Sequence, residues 1–589
     1  MCGDCARFVI DGLFRGCSAK LSPMRGIPWR LLAAGLVSAI LLDLPFPLAG
    51  PLPVWRTIFA WFALVPLLVG LLRMPADFPG KRLRWLLGWS FLAGWWTGAV
   101  WFGSNCYWVY NTMYSYGNMS QTMAVVCLVL FSLYLGFWFG VFALALAVVQ
   151  RAARSKGYFW LALAAIPFLW TAMEFAIARV PEFPWDQLGY SQVDNGLLTR
   201  LAPWVGVYGI SFVLAAVNAL LAAALLPGKL GEKRRGAYFS ASRYCGGLGI
   251  AIAFVGCAGF LIRPPRIPTE ATAVLVQPNL DVNKDDVWVG PEWDRHIAAF
   301  GQLGAETCKT SIAGIPETGA SILTPECLLP PALPSLIVWP ESPAPFRDSD
   351  PRFRAAMAEI GKADKAPLIV GDIGMDLDAG HRYHFYNSAS VIAPDGRFVG
   401  RYDKIHLVPF GEYIPFRKLL FFAHQLTENL SDMGDGADRK TFAIDGHRYG
   451  IFICYEAVFG DEIRQFALNG AQVLVNISDD GWYGDTSAPW QHLNMARMRA
   501  LENRRWILRD TNSGVTSAID PYGTVRQSIA RHRVDALAAQ YGYNSGLTFY
   551  TAHGDLLPAL CAILSLALLI WSVRVVLGEV ASETPVLAR

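Results

Sequence analysis

Leu336-Ile337-Val338-Trp339-Pro340-Glu341 is a short apolar run that ends on a proline and a carboxylate. Gly450-Ile451-Phe452-Ile453-Cys454-Tyr455-Glu456 repeats the form with a thiol at the break. Phe398-Val399 is followed closely by Arg401-Tyr402-Asp403-Lys404. Short apolar, β-branched runs bounded by breakers read as buried strands. Others lie at Ala273-Val274-Leu275-Val276, Leu368-Ile369-Val370, Ser388-Ala389-Ser390-Val391-Ile392 and Val473-Leu474-Val475-Asn476, with helical stretches between them. Segment 270–545 therefore reads as one layered α/β domain. Residues 303–335, rich in Gly, Pro, Thr and Ser, read as a surface insertion.

Outside this segment the chain changes character. Of its 589 residues 53% are hydrophobic and only 16% charged, with a net charge of +3; a soluble chain carries about 25% charged residues. This is the composition of a membrane protein, and the charge gives no case for nucleic-acid binding. Eight apolar stretches of roughly 20 residues can each cross a bilayer. They lie near 31–50, 53–74, 85–104, 120–150, 158–178, 201–226, 245–263 and 556–577. Lys and Arg cluster in the tail 1–30 and after the second, fourth and sixth stretches, which are alternate loops; loops 105–119 and 179–200 are aromatic and poor in both. Basic loops stay in the cytoplasm. The reading is a cytoplasmic tail 1–30, spans one to seven within 31–263, domain 270–545 on the outer side, span eight at 556–577, and a cytoplasmic tail 578–589. Glu174 is the main acidic residue in a span, and an interfacial position is its simplest reading. Gly94-x-x-x-Gly98 and Gly136-x-x-x-Gly140 have the spacing of close helix packing.

Eleven cysteines in this length are not a disulfide scaffold. Cys106, Cys127, Cys257 and Cys561 sit in apolar runs and read as small buried hydrophobes. Cys308, Cys327 and Cys454 fall in the outer domain; Cys308 and Cys327 are candidates for a disulfide in the insertion.

In α/β folds ligands bind beyond the carboxyl ends of strands, so Glu341, Lys404 and Cys454 can meet there. Together they suit acyl transfer. A thiol near neutral pH needs a base, and Glu341 can supply it from an apolar strand-end pocket. Lys404 can stabilise the thiolate and the tetrahedral oxyanion. Glu412 and Glu456 can orient the lysine or the substrate.

Val338-Trp339-Pro340-Glu341, Tyr402-Asp403-Lys404-Ile405-His406-Leu407-Val408-Pro409-Phe410-Gly411-Glu412-Tyr413-Ile414-Pro415 and Ile453-Cys454-Tyr455-Glu456 closely resemble the signatures of the nitrilase superfamily. The extended lysine motif is most like its membrane-bound branch, the apolipoprotein N-acyltransferases. Asp480-Gly481-Trp482-Tyr483-Gly484, Gln491-His492-Leu493-Asn494-Met495-Ala496-Arg497-Met498-Arg499, Phe183-Pro184-Trp185 and Gln187-Leu188-Gly189-Tyr190 also fit. The resemblance implies an αββα-sandwich nitrilase-like domain, eight transmembrane helices and a site facing the periplasm from a bacterial inner membrane. It implies Glu341 as base, Lys404 as oxyanion stabiliser, Cys454 as nucleophile, and supporting roles for Glu412, Tyr455, Glu456 and Trp482. The implied reaction carries an acyl chain from a phospholipid donor, by way of a Cys454 thioester, to the α-amine of diacylglyceryl-cysteine apolipoproteins, with no metal or organic cofactor. One departure is Asp479, where the family more often has Asn.

Two other readings stay open from sequence. A membrane-tethered amidase or nitrilase would use the same three residues with water as acceptor. A transporter or receptor with an inactive outer domain would need more intramembrane charge than Glu174 provides. The stretch Ile414-Pro415-Phe416-Arg417-Lys418-Leu419-Leu420-Phe421-Phe422 places basic and apolar residues together and reads as a loop inserted among membrane lipids.

Overall fold

The computed structural model describes residues 27–226, 246, 249, 267–282, 291–305, 334–341, 345–378, 380–409, 411–413 and 433–583. Most of the apolar stretch 245–263, most of the 303–335 insertion, Cys308, Cys327, segment 414–422, residues 1–26 and residues 584–589 lie outside the described residues.

The first half is helical. In chain order come α1 (Trp29–Asp43), a 3-10 turn (Val54–Trp61), α2 (Val65–Asp77), α3 (Leu83–Asn105), α4 (Trp108–Ser115), α5 (Gln121–Ser155), α6 (Trp160–Arg179) and α7 (Ala202–Leu225). The last helix of the chain, Leu556–Glu583, packs back against α5 and α6. Among the described residues five helical segments are long and apolar enough to cross a membrane: Val54–Asp77, Gln121–Ser155, Trp160–Arg179, Leu198–Leu225 and Leu556–Glu579. Of the eight expected stretches, 245–263 falls almost wholly outside the described residues, and of the other seven only 31–50 and 85–104 fall short on this measure. α1 has only 15 residues, and α3 is diluted by Trp, Gly and Ser. The Gly spacings do mark a close crossing. A Cβ at Gly98 would lie 2.8 Å from Gly136 Cα, and one at Gly136 would lie 2.4 Å from Ala99 N. Glu174 lies near the end of α6. It is buried, and its Oε1 accepts hydrogen bonds from Trp170 Nε1 (2.9 Å) and Leu188 N (2.8 Å).

Among the described residues, segment 270–545 holds two six-stranded sheets. One holds β1 (Ala271–Gln277), β2 (Leu336–Trp339), β3 (Leu368–Leu377), β4 (Tyr383–Ile392), β5 (Phe398–Asp403) and β12 (Asp535–Tyr541), in the order 12-1-2-3-4-5. The other holds β6 (Thr441–Ile444), β7 (His447–Ile453), β8 (Val473–Ser478), β9 (Trp506–Thr511), β10 (Ser517–Ile519) and β11 (Val525–Ser528), in the order 11-10-9-8-7-6. The strands that carry Glu341 and Cys454 lie in parallel ladders, β1-β2-β3 and β7-β8-β9. Such strands are covered on both faces and so read as continuous apolar runs. Leu275, Val338 and Ile369 of one sheet share a core with Ile451, Val475 and Leu508 of the other. Val274, Ile337 and Val370 point outward against α8 (Pro291–Ala305) and α9 (Pro351–Asp364). α10 (Gly460–Leu468) and α11 (Ala488–Asn503) cover the opposite face, completing an αββα sandwich.

α11 joins the two halves. Of its residues only Trp490 and Arg497 escape burial, because Met495, Met498 and Leu501 belong to the core of the membrane helices while Leu493, Ala496 and Ala500 belong to the sandwich. α7 bends at Gly206 (φ 63) to meet it, and the Val207 N–H donates to Glu502 Oε1 at 2.9 Å.

Candidate active site

Pro340 stops β2 and leaves Glu341 at its carboxyl end, 7% exposed. Lys404 follows β5 directly and is 1% exposed; Cys454 follows β7 and is 5% exposed. Lys404 Nζ donates to Glu341 Oε1 (3.2 Å) and to Glu412 Oε1 (2.9 Å). Asn387 Nδ2, on β4, donates to the same two oxygens at 2.7 and 2.6 Å. The other Glu341 oxygen accepts the Asp479 N–H at 2.7 Å. The pocket of Glu341 is therefore polar, not the apolar one expected. Glu341, Lys404 and Asp479 follow strand ends, Asn387 lies on β4 and Glu412 in the loop beyond β5, so the sheet order brings all but Glu412 together.

Electrostatics favour a protonated thiol beside a charged lysine. Burial, reinforced by Glu341, pushes the Cys454 pKa well above its ordinary range, and Lys404 pulls the other way. Burial works against the Lys404 ammonium, but Glu341 and Glu412 outweigh it and raise its pKa. A thiol in this state needs a base before it can act as a nucleophile.

The supporting residues fall into two groups. Glu412 holds Lys404, with its Oε2 anchored by the Val408 N–H at 2.7 Å. Glu456 ties β7, which leads into Cys454, to the lysine loop. Its Oε2 accepts the Ile453 N–H (2.6 Å), and its Oε1 accepts Tyr402 OH (2.8 Å), Ile405 N–H (2.7 Å) and His406 N–H (3.2 Å). Tyr455 OH donates to the Glu182 carbonyl at 2.9 Å, a contact with the membrane half. Trp482 stands apart from these. It is 45% exposed, and its ring meets Tyr116 edge-on at 5.8 Å. Its neighbour Tyr483 is the buried one, set edge-on against Trp108 at 5.2 Å.

Sequence reasoning assigned no role to Asn387, Tyr483, Asp480, His492 or Arg509. Asn387 carries a signal only in retrospect: its carbonyl accepts the Lys404 N–H at 2.8 Å, so β4 places it beside the lysine. Asp479 accepts the Gly481 N–H (2.9 Å) and Asn512 Nδ2–H (3.1 Å). Burial, with Glu341 nearby, lifts its pKa to about 8. Trp185, from the membrane half, stacks over both Tyr455 (6.5 Å) and His492 (6.0 Å).

Residues 301–531 match the carbon-nitrogen hydrolase family, and residues 38–220 match the apolipoprotein N-acyltransferase N-terminal domain. The class is thus a carbon-nitrogen-hydrolase domain built onto membrane helices. An apolipoprotein N-acyltransferase of Geobacter metallireducens is 31% identical over 92% of this chain and 95% of its own length. One of Methylococcus capsulatus is 32% identical over 79% of this chain and 84% of its own. One of Pseudomonas aeruginosa is 31% identical over 80% and 84%. Among solved structures, Nit3 of Saccharomyces cerevisiae covers 50% of this chain and 98% of its own, at 16% identity and a TM-score of 0.35. The chain belongs to the apolipoprotein N-acyltransferase family, and it is an acyltransferase of the bacterial membrane.

Proposed function

We propose that the protein N-acylates lipoproteins in two half-reactions at Cys454. In the first, Glu341 takes the thiol proton and the thiolate attacks the ester carbonyl of a phospholipid. Lys404 stabilises the oxyanion; the ester C–O bond breaks, and the lysophospholipid alkoxide leaves with the proton from Glu341. In the second, the free α-amine of a diacylglyceryl-cysteine attacks the thioester, the C–S bond breaks, and the amine's proton returns through Glu341 to sulfur. The observation that carries this reading is the Lys404 ammonium held between two carboxylates, beside a buried neutral thiol.

The donor is read as a phospholipid because Trp185 and Glu182 bring the membrane half onto Tyr455, next to the nucleophile. The basic loops support a catalytic domain over 270–545 facing the periplasm from the inner membrane, with spans in 31–263 and at 556–577 and both tails, 1–30 and 578–589, in the cytoplasm. Intact-mass analysis after incubation with phospholipid tests the chemistry. An acyl adduct on Cys454 is expected, discharged by a diacylated lipopeptide and absent in Cys454→Ala. An adduct that persists in Cys454→Ala, or release only as free fatty acid with the lipopeptide present, overturns it.

A further inference from the structure

Cys454 has φ +48, in the left-handed region that is strained for a non-glycine residue. The strained turn swings its carbonyl toward α11, where the oxygen lies 2.9 Å from His492 Nε2. A carbonyl oxygen has no hydrogen to give, so Nε2 carries the proton whatever the state of the other nitrogen. That other nitrogen, Nδ1, lies 3.2 Å from Arg509 Nη2 and 3.0 Å from Asp480 Oδ1. Arg509 Nη2 also donates to Asp480 Oδ2 at 2.7 Å, and Ser478 Oγ donates to Asp480 Oδ1 at 3.0 Å. All three charged or titratable members, Asp480, His492 and Arg509, are fully buried. The groups facing the imidazole are Asp480 from the turn after β8, Arg509 from β9, the Cys454 carbonyl after β7, and the rings of Trp185 and Tyr483.

We infer that His492 is a positioning residue for the nucleophile, held in one orientation by Asp480 and Arg509 and anchoring the peptide between Cys454 and Tyr455 through its Nε2–H. Two consequences follow from the chemistry of that peptide. The carbonyl bond holds the turn in its strained form, which keeps Sγ next to Glu341 and Lys404. A hydrogen bond to a peptide C=O also polarises the N–H of the same unit. In a trans peptide the two point in opposite directions, so anchoring the carbonyl on α11 aims the Tyr455 N–H away from that helix as a strengthened donor for a developing oxyanion. Burying an aspartate, a histidine and an arginine only to stiffen a helix is a costly arrangement; serving the strained turn gives it a function.

This inference rests on Cys454 as the acylated thiol, so the experiment separates the two. His492→Gln keeps an N–H donor; His492→Leu keeps bulk and removes it. Both are purified as full chains in detergent, their melting temperatures measured, Cys454 alkylated with iodoacetamide, and acyl-enzyme formation from phospholipid vesicles timed. The expected result is that Leu lowers the acylation rate about 100-fold at unchanged KM, slows alkylation far less because that reaction forms no oxyanion, and that Gln recovers most of the acylation. Equal acylation by Gln and Leu overturns the inference, as does equal loss in acylation and alkylation. Should Leu fail to fold, ¹⁵N-histidine spectra of the parent protein decide: a ring protonated at Nε2, missing in His492→Gln, is expected, and a ring protonated only at Nδ1 overturns it. Failure of the Cys454 reading itself would show differently, as acylation surviving in Cys454→Ala.

Discussion

Trp185 Nε1 donates a hydrogen bond to Gln491 Oε1 at 2.8 Å, across the seam between the membrane half and the catalytic domain. The amide's other end donates to the Asn105 carbonyl (3.0 Å), Asn105 Oδ1 (3.1 Å) and the Pro47 carbonyl (3.3 Å). One glutamine beside His492 therefore ties together three segments from the same ends of the membrane helices. Gln491→Leu, close in volume, leaves these buried groups unpaired, at about 1–3 kcal/mol for each group left without a partner. Trp185→Phe removes a single bond, about 1 kcal/mol. Thermal melting in detergent should rank parent, Trp185→Phe and Gln491→Leu in that order. A Gln491→Leu protein as stable as the parent would contradict this account of the seam.

Lys404 sits between two carboxylates, so removing it does more than remove an oxyanion stabiliser. Lys404→Met leaves Glu341 and Glu412 facing each other in a buried site and should cost about 3–5 kcal/mol of stability. Adding Glu412→Gln should restore much of that stability but none of the acylation. Lys404→Arg should also fail to acylate, since a planar guanidinium does not fit where a compact ammonium bridges two oxygens. Asn387→Leu should slow acylation about 100-fold through loss of carboxylate alignment. Melting curves and the mass of the acyl-enzyme test all four; wild-type acylation by Asn387→Leu would remove that residue from the site.

Asp479 gives a pH signature with a definite sign. Its folded pKa is about 8, above the ordinary 3.8. The folded state therefore holds a proton that the unfolded state has lost, and stability falls as pH rises between those two values. Below about 4 the two states are protonated alike, and above about 8 they are ionised alike. Asp479→Asn removes this pH-dependent term, and its loss of the acceptor for Asn512 Nδ2–H adds only an offset independent of pH. The stability of Asp479→Asn relative to the parent should rise from pH 5 to pH 8 and then level off. A difference independent of pH across that window would show that Asp479 is ionised throughout.

Gly136 is required by contact. Gly136→Val should force α3 and α5 apart and cost about 1–3 kcal/mol. Gly88→Val is the control: it lies on the same α3, and a Cβ added there would have nothing within 4 Å. Comparable melting temperatures for the two variants would refute the close crossing.

What the sequence made legible is what strands and strand ends encode. Val338 and Ile451 lie in ladders covered on both faces, so the apolar runs and the residues that terminate them stood out, and Glu341, Lys404 and Cys454 came with them. His492 was different. Its partners are Cys454, Asp480 and Arg509, which are 38, 12 and 17 residues away, a relation that no local spacing encodes. Trp482 and Tyr483 are adjacent, and the turn after Asp480 decides which ring faces inward; composition alone could not. Counting spans from hydropathy merged α1 with the Pro/Gly-rich chain beyond it, because both are apolar whether or not a helix continues.

α11 carries a consequence for anyone who would take this enzyme apart. A helix buried on both its opposite faces cannot be left behind by a clean cut at 226 and 556, since Met495, Met498 and Leu501 would face water along with Tyr455 and Tyr483. A freed head would carry a sticky, greasy underside and precipitate or recruit detergent. Evolution has here welded reactor to platform, and the two can only be inherited, expressed or lost together.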